Sequence, residues 1–289
     1  MKRRHFLKSG AAIAGTLLFD AFPYHAFAGT TKKYAWDKVT LGDTGIEVSR
    51  LAMGTGTRGF GGSSNQSRKL GLNGLSNLLR TGFDNGVFFW ESADQYGTHP
   101  HLKEALKAVD REKVVLLTKT HARTEKQMKK DLDRYRSEIG TDFIDIVLLH
   151  ALTNPEWNEN RKGAMEYLAR AREDGIIRAH GVSCHSIGAL KTAADEDWVQ
   201  VDLARMNPAG LRMDDEVPVV QKVLQKMKSQ GKGVIGMKVL GAGQLSNKVD
   251  EALEYAMAQD YMDCFTIGSE SINQFNDLTK RIPAASVRG

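Results

Sequence analysis

Cysteine is scarce. The chain of 289 residues holds two, Cys184 and Cys264. No CxxC pair and no His/Cys cluster with ligand spacing occurs, so the sequence offers neither a structural zinc site nor an iron–sulfur centre, and no metal is expected. The two thiols fall at opposite ends of their respective predicted strands, which argues against a bridge between them. Proline is equally sparse, with six residues, and no low-complexity tract is present, which excludes a disordered chain. No apolar run is long enough for a stable membrane anchor. A basic stripe interleaved with aromatics is missing too. Runs such as "KKDLDRYR" mix both signs, as a solvated helix face does, so no nucleic-acid partner is expected. What is there, 41% hydrophobic and 26% charged residues, suits a soluble enzyme with a sizeable core.

The first 28 residues differ from the rest. "MKRRHFLKSGAAIAGTLLFDAFPYHAFAG" holds four basic residues, a short apolar run interrupted at Asp20, and Ala26-Phe27-Ala28 before Gly29. These are the ordered parts of a cleavable secretory signal. "RRHFLK" resembles the twin-arginine export signal, with Lys2 where Ser or Thr is usual. Residues 1–28 therefore read as a twin-arginine-type signal peptide, and 29–289 as the mature domain. The expected partner is the twin-arginine export machinery, and the expected destination is the periplasm or beyond. Cleavage removes four bases and one acid, so the formal charge falls from +5 to +2.

After a predicted hairpin turning at Asp43-Thr44-Gly45, the sequence alternates between two textures. Short apolar runs ("RLAMGTG", "GVFFWE", "VVLLTK", "IDIVLLH", "AHGVSC", "VQVDLARMN", "GVIGMKVL", "CFTIGS") are separated by helix-like stretches. In "TEKQMKKDLDRYRSEIG", Met128, Leu132, Tyr135 and Ile139 recur at helical spacing and Gly140 supplies a stop. Near-continuous apolar strands between amphipathic helices indicate a parallel sheet covered by helices. Eight such units in a domain near the typical ~250 residues predict an α/β fold, a (β/α)8 TIM barrel with an N-terminal β-hairpin. A doubly wound sheet is the rival. "GTGTRG" (54–59) matches G-x-G-x-x-G on paper, yet it runs into the polar "FGGSSNQSRK" rather than a helix, and no acid follows at the required distance. The match reads as accidental.

A barrel carries its chemistry at the C-terminal strand ends and the loops after them. Three consecutive strands end in Glu91, Lys119 and His150, and Tyr96 follows Glu91 in "WESADQYG". Alternation places Val115, Leu117 and Lys119 on one face of their strand, and Ile146, Leu148 and His150 likewise on theirs. Singly, each polar residue has an ordinary role: a strand-end lysine snorkels, a tyrosine packs, a glutamate caps. Four converging on one rim are hard to explain by packing, because buried charges cost several kcal/mol unless paired or used. A phenol near ~10 donates poorly at neutral pH, and a neighbouring ammonium is expected to lower its pKa. The set suits protonation of an oxygen that is gaining negative charge, as in carbonyl reduction, with hydride supplied by a cofactor.

From about Val39 onward the chain resembles the aldo-keto reductase family. "LGDTGIEVSRLAMGTG" resembles its N-terminal hairpin and first strand, and "WESADQYG" its active-site signature, usually Asp-Thr-Ala-x-x-Tyr-Gly. The resemblance implies Tyr96 as proton donor, Lys119 as its partner, His150 as the substrate-orienting residue, and Glu91 in place of an aspartate. It also implies a nicotinamide site. "IRAHGVSCH" resembles the segment that holds the nicotinamide amide, with Ser183 kept and Cys184 in place of asparagine. Gln200 and Arg205 are both candidates for a further amide contact, and Met237 or Lys238 stands where relatives place a stacking aromatic. Gly54 and Thr55 on the first strand, and Leu240, Gly241 and Gly243 beside the pyrophosphate, complete one end. Gly268, Ser269, Glu270 and Gln274 in "TIGSESINQFNDL" face the adenosine end, where NADP-preferring relatives carry Lys or Arg. None of those is cationic, so NADH is slightly favoured over NADPH.

Two functions follow. One is a nicotinamide-dependent oxidoreductase reducing an aldehyde or ketone. The other is a barrel that keeps the four positions but binds no cofactor productively and serves as a binding or accessory protein. Phe60, His121 and Trp157 are expected in the pocket wall around a small carbonyl substrate.

Overall fold

The computed structural model describes residues 31–287, so the signal-like segment 1–28 lies outside the described residues. An antiparallel hairpin of β1 (Lys38–Thr40) and β2 (Glu47–Ser49) opens the fold, with Val39 opposite Val48. Eight parallel strands follow: β3 (Leu51–Gly54), β4 (Phe89–Glu91), β5 (Val115–Thr120), β6 (Ile144–Leu152), β7 (Ile177–Cys184), β8 (Val201–Arg205), β9 (Gly233–Met237) and β10 (Cys264–Ile267). They close in chain order, β10 pairing with both β9 and β3, so the barrel has no free edge. The helices that cover it include α1 (Asn65–Asp84), α2 (His99–Leu106), α3 (Glu125–Ile139), α4 (Trp157–Asn160), α5 (Lys162–Glu173), α6 (Ile187–Asp195), α7 (Val217–Ser229), α8 (Val249–Ala258) and α9 (Ile272–Ala285). This is the expected (β/α)8 barrel with its hairpin.

Strand alternation divides the core into two layers. Ala52, Phe89, Leu117, Ile146, Leu148, Ala179, Leu203 and Ile235 fill the lumen, joined by Leu41, Ile46 and Val48, with which the hairpin plugs the floor. Met53, Trp90, Leu116, Val147, Leu149, Val182, Ala204 and Val234 face the helices instead. In α3 the predicted stripe of Met128, Leu132, Tyr135 and Ile139 is buried. Thr124 and Gln127 form its capping box, and Gly140 at φ 75° ends it.

One buried acid ties three strands together below the rim. Asp145 on β6, 1% exposed, accepts from the Leu116 amide at 2.9 Å and from Arg111 and Arg178 at 2.8 Å each. Truncating it leaves the buried Leu116 amide without its acceptor and takes one partner from each guanidinium group. Asp145→Ala is expected to destabilise the fold by about 3 kcal/mol in denaturant unfolding; a loss under about 1 kcal/mol, the range of exposed ion pairs, would contradict that role.

Candidate active site

The ends of β4, β5 and β6 bring Glu91, Lys119 and His150 to one rim, 6%, 0% and 3% exposed respectively. Lys119 is ion-paired with Glu91 and donates to the Ser92 carbonyl at 2.6 Å. The other Glu91 oxygen accepts from Thr266 Oγ1 of β10 at 3.3 Å. Glycine at 54 makes that reach possible, because a Cβ there would sit 2.8 Å from Thr266 Oγ1 and 3.2 Å from the Glu91 carboxylate. Lys119 Nζ lies 4.8 Å from the centroid of the Tyr96 ring, and that ring meets His150 edge-on at 5.8 Å. The four residues singled out in the sequence are therefore neighbours.

Tyr96 closes a 3-10 turn, Asp94–Tyr96, that Arg134 of α3 clasps through both Asp94 oxygens at 2.7 and 2.9 Å. Gly97 follows at φ 62°, and a Cβ there would stand 2.0 Å from the Gly62 carbonyl oxygen, so no other residue fits. Gly56 and Gly59 admit the phenol ring, since a Cβ at either would fall 2.1 or 2.3 Å from it. Two of the three glycines of "GTGTRG", Gly56 and Gly59, thus serve Tyr96, and α1 starts only at Asn65, capped by Ser64. The dinucleotide-loop match is accidental, as its context indicated. Asp94, His99 and Glu138 bring ligand atoms within 4.8 Å of one another, but Arg134 already donates to both acids there.

One electrostatic expectation is corrected. Burial, and then the Glu91 carboxylate, push the Tyr96 phenol well above its usual value rather than below it. The Lys119 ammonium is matched by Glu91, so the pair presents little net charge to the ring. Burial lowers Lys119, opposed by Glu91. Burial and the Lys119 charge hold His150 well below the ordinary imidazole value, and its Nδ1 has no partner. His121 stacks on His150 at 4.9 Å, and His185 lies 6.4 Å from it.

A groove of about 530 Å³ starts at Glu91 and Tyr96 and passes Gly54, Met237, Lys238, Leu240 and Gly243. It ends at Gly268, Ser269, Glu270 and Gln274. Several expected contacts do not line it, Ser183 and Arg205 among them. Thr55 is buried and spends its hydroxyl on the Glu91 carbonyl and Thr98. Cys184 belongs to the outer layer facing the helices, with its thiol pushed well up by burial. Gly241 is buried against Leu211 and Leu245. Gln200 precedes β8 at the opposite end of the barrel and accepts from the His180 amide. Trp157 is 1% exposed, bonded to the Ala189 carbonyl in the outer layer, whereas Phe60 is 79% exposed. Neither forms the pocket wall.

Other residues arrive that the sequence did not single out. Asp214, from the loop after β8, pairs with Arg205, and its Oδ2, Arg205 Nε and Ser183 Oγ are buried without partners among the described residues. Lys69 of α1 pairs with Glu270, which also accepts from Asn65 at 2.7 Å, and Arg58 lines the groove nearby. The adenosine-end loop carries no cation of its own, but the fold brings two from the segment after β3. With some 200 positions between the partners, no local pattern announces the pairing.

Closed barrel, rim tetrad and groove together define the class. The aldo/keto reductase family model matches residues 52–281, and the chain belongs to that family. A 2,5-diketo-D-gluconic acid reductase B of Corynebacterium is 32% identical over 127 residues, covering 40% of this chain and 43% of that protein. A D-threo-aldose 1-dehydrogenase of Pseudomonas is 24% identical over 168 residues, covering 57% and 49%. The chain spans about half the length of these curated relatives. Among solved structures, an aldo-keto reductase of Bacillus halodurans superposes with TM-score 0.70 at 16% identity, over 86% of this chain and 91% of that one, a likeness of fold.

Buried imidazoles give the fold a pH dependence. Burial depresses His180 to about 4 and His185 to about 3. The unfolded chain takes up protons near the ordinary value of about 6.5 that the fold refuses, so these groups lower stability as pH falls below that value. Asp202, raised by burial, acts in the opposite sense. The readout is therefore the difference between wild type and His180→Gln in melting temperature from pH 7 to 5. The variant should lose less on acidification; an equal or larger loss would contradict it.

Proposed function

We propose that the protein is a nicotinamide-dependent oxidoreductase that reduces an aldehyde or ketone to an alcohol. The observation that carries this reading is the meeting of Lys119 and His150 with Tyr96 and Glu91, the two residues that line the head of the groove. The hydride for the carbonyl carbon would come from a reduced nicotinamide held in the groove. The chain supplies the rest. Tyr96, whose raised pKa keeps it protonated at neutral pH, donates its proton to the carbonyl oxygen as that oxygen gains charge. The phenolate left behind is stabilised by the Lys119 ammonium and recovers its proton from solvent. His150, held neutral, orients the oxygen. Glu91 keeps Lys119 charged and fixed.

The groove suits the cofactor in size and chemistry. Arg205 and Asp214, whose charges act on the groove residue Lys238, keep Nε as a donor and Oδ2 as an acceptor that are unused among the described residues, and the buried Ser183 Oγ can be either. Leu240 and Gly243 border the middle, and Glu270 can accept from a ribose hydroxyl. Glu270 favours NADH over NADPH, and the Lys69 and Arg58 charges beside it keep the preference small. Export through the twin-arginine route would carry the domain out already folded.

Cofactor titration followed by a carbonyl panel tests the reading. NADH should bind up to about tenfold more tightly than NADPH, a difference of about 1.4 kcal/mol. Tyr96→Phe should keep binding but lose at least about a hundredfold in kcat, as removal of a general acid does. Binding of neither cofactor would replace this reading with the accessory barrel, and full activity in Tyr96→Phe would remove the phenol from the chemistry.

A further inference from the structure

One cation of the groove, Lys238, feels the charges of three others, Arg205, Arg212 and Lys119. Lys119 is matched by Glu91, and Arg205 by Asp214. Lys238, directly after β9, lines the groove, and among the described residues its ammonium has neither an ion pair nor a hydrogen bond. Arg212, exposed on the loop after β8, is likewise unmatched. The charged groups acting on Lys238 are Arg205, Asp214, Arg212 and Lys119, and Lys238 in turn acts on His150 and His185. Its charge therefore lies beside the reacting end of the groove, away from the Lys69–Glu270 end. Lys238 also holds φ 56°, a left-handed backbone that costs a side-chain-bearing residue and persists where the surroundings fix it. Burial, then Arg205, depress its ammonium to about 8. A half-buried cation among cations, aimed into a cavity, is a site awaiting an anion.

We propose that Lys238, with the exposed Arg212 of the loop after β8 adding to its field, is an anion-binding subsite that holds a carboxylate on the carbonyl substrate. This rests on the reductase reading and specifies its substrate class: oxo acids, or aldehydes bearing an acidic group close to the carbonyl. The other available anion is the cofactor's pyrophosphate. The position of Lys238 beside His150 and His185 favours the substrate, and the two sources are separable. The carboxylate is held by a charge-assisted hydrogen bond from Nζ, while Tyr96 and His150 receive the carbonyl oxygen.

The test compares 2-, 3- and 4-carboxybenzaldehyde with benzaldehyde, using wild type, Lys238→Met and Lys238→Arg with NADH. Wild type should prefer at least one carboxylated aldehyde by about tenfold or more in kcat/KM, mainly through KM, the factor expected of one charge-assisted bond. Lys238→Met should bring that ratio close to one, and Lys238→Arg should restore it. In wild type the KM for the favoured acid should rise as pH passes about 8, while that for benzaldehyde does not. An unchanged ratio in Lys238→Met overturns the proposal. So does a loss of NADH and ADP-ribose affinity in Lys238→Met with the ratio kept, which would assign the cation to the pyrophosphate. If no aldehyde is reduced, the reductase reading fails and the subsite is judged by calorimetry with the carboxybenzyl alcohols. Binding that Lys238→Met loses supports it, and equal or absent binding overturns it.

Discussion

The site depends on one buried ion pair. Lys119 is fully enclosed at the end of β5, where the Glu91 carboxylate and the Ser92 carbonyl meet its charge. Desolvating an ammonium costs several kcal/mol, so the lysine stays charged inside the barrel only while Glu91 faces it. The pair fixes a cation under the face of the Tyr96 ring at 4.8 Å. It also sets the resting state of the phenol, because the acid cancels much of what the ammonium would otherwise do.

That balance changes how the chemistry is understood. A lysine beside a tyrosine suggests a phenol made acidic at rest, whereas here burial and Glu91 keep the proton on Tyr96. The ammonium then matters after transfer, when a phenolate exists for it to stabilise. The glutamate also answers a steric question. Its side chain is one methylene longer than the aspartate of the family signature, and the extra length is taken up across β4, β5 and β10 by Thr266 and by the absence of a side chain at Gly54.

The fold was legible because strand and helix periods are local. All eight apolar runs became barrel strands, and the face bearing Val115, Leu117, Ile146 and Leu148 is the lumen. Glu91, Lys119 and His150 were legible for the same reason, as polar ends of lumen-facing rows. Contacts across the fold were not. Asp214 reaches Arg205 from a loop and Lys69 reaches Glu270 from α1, pairings with no mark in local spacing. Thr55, Cys184 and Trp157 were misplaced because neither a motif match nor a polar or aromatic type says which way a side chain points. One position decides whether Ser183 or Cys184 faces inward. The glycines at 56 and 59 were rightly set apart from a phosphate loop, although their purpose became visible only with the Tyr96 ring lying against them.

The most direct measurement is the ionisation of Tyr96 in wild type and in Glu91→Gln, followed by carbon NMR of ring-labelled tyrosine. The account predicts a wild-type phenol titrating above the free value of about 10, and a fall in Glu91→Gln, where the carboxylate that pushes it up is gone. A wild-type phenol that already titrates below that value, or one that does not move when the carboxylate is removed, would contradict it.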